Sequence, residues 1–176
     1  MDDEAFDELE FEERGQDSVI STEPIVVTVY SSSAKAVLQR AETLAATAPG
    51  GAMTGEHLLL SLSADGQCAA AQVLTECGFD GSTIARTVAF VQGEPPLQET
   101  ATPVVLSPRM ERVLTTAGRE AAIHTREQVD TLHLLVGLLR ERQGIASLAL
   151  ESPGVGLEPV GAAISRAIRD GVTDPS

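Results

Sequence analysis

The chain has 176 residues, 43% of them hydrophobic and 22% charged, enough for one compact globular domain with a real core. A net charge of −14, a single Tyr and no Trp exclude the basic, base-stacking surface of a nucleic-acid binder, and anionic membranes would repel such a chain as well. Aromatic content of 3% beside abundant Ala and Leu favours close-packed helices over a β-sandwich, so an all-α fold is expected.

Residues 1–24 hold ten acids and one base, Arg14, giving 1 − 10 = −9 and leaving −5 for the rest. Like charges at that density oppose compaction, so this stretch is predicted to be a disordered acidic tail. Its acidic start does not fit a secretory signal, and no apolar run approaches the roughly 20 residues of a membrane span. A cytoplasmic protein is expected. Residues 25–30 (IVVTVY) are β-branched and read as an extended lead-in; a short paired ladder is the less favoured alternative.

Val37, Leu38, Ala41, Leu44, Ala45 and Ala48 share one helical face, and Pro49-Gly50-Gly51 ends that helix. Leu58, Leu59, Leu60 and Leu62 make the next helix apolar nearly all round, which places it centrally. Ala69, Ala70, Val73, Leu74 and Cys77 give a third helix closed by Gly78. Ile84, Val88 and Val91 give a fourth, opened by Asp80 or Ser82. Residues 93–105 form a polar, Pro-containing linker whose last residues, with Leu106, read as a second lead-in.

The same order then recurs. Val113, Leu114, Ala117 and Ala121 form one face, residues 134–139 a buried helix, Ile145 to Ala149 a third, and Val160, Ile164, Ala167 and Ile168 a fourth. A shift of 76 residues superimposes the halves without gaps: Val37-Leu38 falls on Val113-Leu114, His57-Leu58-Leu59 on His133-Leu134-Leu135, and Leu74 on Leu150. One offset shared by several segments marks a duplication. The expected domain spans 25–171, with repeat one at 30–92, repeat two at 106–170 and a short tail at 172–176. Each half alone has a marginal core, so the two are expected to pack about a pseudo-twofold axis with a groove at their junction.

His57 and His133 each sit in the first turn of a leucine-rich helix near a candidate cap, Thr54 or Gly55 and Thr131 respectively. There an imidazole serves unpaired backbone amides or packs beneath the cap, and no acid or Cys cluster completes a metal site. Thr54, His57, Thr131 and His133 are therefore assigned structural roles. His124 receives only a surface or packing role. Cys68 and Cys77 have neither the number nor the spacing of a disulfide framework, and two buried free thiols are expected. The only lysine, Lys35, precedes Ala, so no phosphate-binding Gly-Lys-Ser/Thr loop exists and no nucleotide or other cofactor is expected. Glu56 either contacts a cationic group on a peptide or simply favours the positive end of its helix.

These repeating residues resemble the N-terminal domain of the Clp family of ATP-dependent unfoldases. Thr54-Gly55-Glu56-His57-Leu58-Leu59-Leu60 is similar to the family's Gly-Thr-Glu-His-Leu-Leu-Leu, and Ser31 to Leu38 and Leu106 to Leu114 are similar to its two repeat openings. Ala69 to Leu74 and Gly78-Phe79-Asp80 complete the order, covering roughly residues 30–170. The resemblance implies an eight-helix fold of two four-helix repeats related by pseudo-twofold symmetry. It also implies a non-enzymatic module that receives adaptor or substrate polypeptides and works with Clp ATPase or protease subunits, here as a stand-alone protein without ATPase modules. In some relatives the Glu of each such motif helps hold phosphoarginine; Glu56 stands at the first position, while Leu132 stands where the second acid would be. The alternative is a general peptide-binding or scaffolding domain with no link to Clp proteolysis.

Overall fold

The computed structural model describes residues 26–92, 103–142, 144–151 and 156–175. The predicted acidic tail at 1–24 and most of the linker at 93–105 lie outside the described residues. Eight helices form the described fold: α1 (Ser32–Ala46), α2 (Gly55–Ala64), α3 (Ala69–Glu76), α4 (Gly81–Gln92), α5 (Pro108–Ile123), α6 (Thr131–Arg140), α7 (Ile145–Glu151) and α8 (Leu157–Arg169). Helices begin at 32, 55, 69 and 81 and again at 108, 131, 145 and 157, each 76 residues later. The duplication read from the sequence is therefore a duplication of structure.

Local chemistry sets these boundaries. Ser31 and Ser107 open α1 and α5, their hydroxyls accepting from the amides of Ala34 and Met110 at 3.1 Å each. Gly78 takes a φ of 87° after α3, letting Phe79 N–H reach back to the Leu74 carbonyl at 2.8 Å. Of the two caps considered for α4, Asp80 serves: its carboxylate accepts from the Thr83 amide at 2.7 Å.

The leucine-rich helices α2 and α6 meet at the centre, where Leu58, Leu59, Leu134 and Leu135 are fully buried. Around them the repeats interlock: α4 of the first packs on α7 of the second, and α8 of the second packs on α3 of the first. Each repeat thus completes its core with a helix from the other.

The lead-ins cross over too, and here the structure departs from the sequence reading. Rather than unpaired extended segments, a short parallel ladder joins β1 (Ala52–Met53) to β2 (Val105–Leu106), pairing Ala52 with Val105 and Met53 with Leu106. Its twin is the bridge between Tyr30 and Val129, since 106 − 76 = 30 and 53 + 76 = 129. Backbone that crosses a repeat junction needs partners for its polar groups, and the nearest lie in the other repeat. Two-residue strands carry no periodicity, so the sequence left such a ladder as only the less favoured alternative and did not show its partners.

The first lead-in also docks on α5, where Val27 N–H donates to the Gly118 carbonyl at 3.1 Å and a Cβ on Gly118 would overlap the Val27 carbonyl oxygen. The corresponding residues of the other half are Glu42, which carries a side chain, and Pro103, which has no N–H. The second lead-in cannot dock in the same way.

Candidate functional site

Both leucine-rich helices open with a histidine-based cap. At α2 the capping residue is Thr54, whose N–H donates to His57 Nδ1 at 3.2 Å and whose hydroxyl lies 2.9 Å from the same nitrogen. At α6 the capping residue is Asp130 rather than Thr131: Asp130 N–H donates to His133 Nδ1 at 3.2 Å, and the carboxylate accepts from His133 N–H at 3.1 Å. Each imidazole fills the place that a Glu or Gln side chain takes in the usual reciprocal cap. Thr131 is instead the first helical residue, fully buried, its hydroxyl accepting from the Ala70 amide at 3.2 Å. Sequence reasoning put the second cap one residue late because Asp and Thr are adjacent and both cap well.

His133 is fully buried and its Nε2 has no hydrogen-bond partner among the described residues. His57 is half-buried, and burial lowers its pKa from the ordinary histidine value, with Glu56 pulling weakly the other way. His124 is exposed at the end of α5, its ring centre 6.3 Å from that of His133. Both cysteines are free: Cys68 is buried, whereas Cys77 is only half-buried, and burial pushes both thiols up. Among the described residues no group of three His, Cys, Asp or Glu side chains is placed to hold a metal ion.

Glu56 stands half-buried in the first turn of α2, beside a cavity of about 140 Å³. Thr54, Gly55 and Glu56 form one wall; Ser107 and Arg109 from the start of α5 and Glu141 from the end of α6 form the other; Val113, Leu138 and Ala146 make the floor. Glu141 is held in place by a two-pronged ion pair with Arg112, at 3.1 and 3.2 Å. Acidic, basic and hydroxyl-bearing residues therefore line the cavity together with apolar ones. Nothing in the sequence alone announced Arg109 or Glu141, because residue 56 shares a cavity with residues 109 and 141 only across the repeat junction.

The corresponding place in the other half differs. Leu132 is fully buried, part of the core rather than a wall of a cavity, so no acid stands there. On another face, Leu38 and its counterpart Leu114, with Met53, Val104 and Leu106, line an apolar groove of about 370 Å³ rimmed by Lys35 and Glu42. This is the groove expected at the repeat junction. Among the described residues no helix is long and apolar enough to cross a membrane.

Two interlocked four-helix units, with a cavity and an apolar groove where they meet, define a duplicated all-α module. The chain belongs to the Clp repeat N-terminal domain family, whose model matches residues 29–153 and 105–176. It is 33% identical over 102 residues to the negative regulator of genetic competence ClpC/MecB of Bacillus subtilis (strain 168), covering 58% of this chain and 12% of that relative's length. Among solved structures, the Hsp104 N-terminal domain from Candida albicans matches with a TM-score of 0.68 and 15% identity, over 83% of this chain and 94% of that one. The N-terminal domain of the chaperone ClpD from Arabidopsis thaliana matches with a TM-score of 0.65 and 19% identity, over 81% and 99%. The fold is shared with both.

Proposed function

We propose that this protein is a non-catalytic polypeptide-binding module of the cytoplasm that modulates substrate recognition by a Clp protease. It receives adaptor or substrate polypeptides and works alongside Clp ATPase or protease subunits. The observation that carries this reading is the cavity beside Glu56, where mixed charge over an apolar floor suits a charged side chain presented by a polypeptide. The apolar groove between Leu38 and Leu114 suits the flanking apolar residues of the same chain. Glu56 is the acid that receives the cationic part of such a side chain, phosphoarginine included, and the core position of Leu132 restricts that chemistry to one half.

Affinity purification from the native cytoplasm should recover Clp ATPase or peptidase subunits. Recovery of neither, together with no binding to a peptide array, would remove the proposal; array binding alone would favour a general scaffolding module. Glu56→Gln should weaken binding of free phosphoarginine by about tenfold, the usual worth of a charge-assisted hydrogen bond. Calorimetry on both chains reads that change.

A further inference from the structure

We propose that the junction of α1, α3 and α6 is a carboxylate-binding site that the protein keeps closed with its own Asp174. After α8, Gly171 adopts a φ of 77° and Val172 N–H returns to the Ala167 carbonyl at 2.9 Å, which turns the chain back over the bundle. Asp174 then meets four donors from three separate segments. One carboxylate oxygen accepts from Ser31 Oγ at 3.0 Å and Thr131 N–H at 2.9 Å. The other accepts from Ala69 N–H at 3.1 Å and Thr131 Oγ1 at 2.5 Å. The next residue joins in, as the Pro175 carbonyl accepts from Ser33 Oγ at 3.4 Å.

The receptor is built for an anion that its own helices do not supply. The residue before α3 is Cys68, which makes no side-chain cap, and the Asp130 carboxylate is already committed to the His133 amide. Amides at the positive ends of α3 and α6 therefore point at one spot, where Thr131 and Ser31 add hydroxyls. Repeat symmetry gives this spot a meaning: Ser31 and Thr131 correspond to Ser107 and Gly55, which line the cavity beside Glu56. Of two equivalent places at the repeat junction, one is a cavity and the other holds a side chain of the chain itself.

The surroundings favour an occupant in cis. Glu127 and Asp130 outnumber Arg126 in the adjoining cleft, and the whole chain carries a charge of −14, so the net field disfavours a free acidic peptide. A tethered carboxylate acts at an effective concentration in the millimolar range and overcomes that repulsion. An external acidic segment gains the site only when residues 172–175 are drawn off. The proposal stands whether or not a Clp protease is the partner.

The probe is a labelled synthetic peptide of residues 170–176, with a control peptide carrying Asn at the position of Asp174. The full-length Asp174→Asn chain should bind the acidic peptide at least about tenfold more tightly than the unaltered chain, because its site is no longer self-occupied. Binding should shift the backbone amide resonances of Ala69 and Thr131, and the control peptide should do neither. Equal binding to both chains, or none to the variant, overturns the proposal. A separate measurement needs no variant: in the unaltered chain the amides of Ala69 and Thr131 should exchange slowly with solvent despite lying at helix starts. Fast exchange at both overturns it as well.

Discussion

At the scale of single residues, the two histidines show how one residue type serves the start of a helix. In its neutral form His57 accepts the Thr54 N–H through Nδ1, and protonation removes that acceptor. Burial holds its folded pKa below the unfolded value, which lies near 6.5. The sign follows: above about pH 6.5 the stabilisation is complete, and it is lost as pH falls toward the lower folded value, because the unfolded chain then binds the proton more readily. Urea midpoints should fall between pH 7 and pH 5.5, and His57→Gln, which keeps an acceptor that does not titrate, should reduce the fall. An identical fall in both proteins would show that His57 is not responsible. The place of these histidines in the first turn of each helix was readable from the leucine run that follows them. The identity of the second cap was not, because Asp130 and Thr131 compete on equal terms until the φ, ψ path is known.

At the scale of elements, the two halves differ in how closely their first two helices approach. A Cβ on Gly137 in α6 would overlap the Val113 carbonyl oxygen of α5. The corresponding residue in α2 is Ser61, whose buried hydroxyl has no partner among the described residues. Gly137→Ala should therefore lower stability by about 2 kcal/mol, since backbone rather than a flexible side chain must give way. Ser61→Ala should be neutral or stabilising, because it removes an unpaired buried polar group. Thermal melts of the two variants should move in opposite directions, or the second not at all. Helix order and buried faces were legible in apolar spacing. The partners of the lead-ins were not, since they lie in the other repeat and two residues are too few to show a period.

At the scale of the molecule, interlocking makes the repeats one cooperative unit. With α4 seated on α7 and α8 on α3, neither repeat keeps its core when the other is removed. A fragment spanning residues 26–92 should show no cooperative unfolding transition, whereas the whole chain should unfold in one step by circular dichroism and by tyrosine fluorescence. Two separate transitions in the whole chain would contradict the interlock.

The sequence by itself determined the duplication, the helical class, the order of elements and the place of the histidines in the first turns of the leucine-rich helices. All of these follow from local spacing and from side-chain chemistry within a few residues. Only the tertiary structure decided which half keeps a cavity and which is closed by Asp174, and which charges stand opposite Glu56. Those contacts join residues such as 31, 69, 131 and 174, and their energies depend on distances that no local pattern encodes.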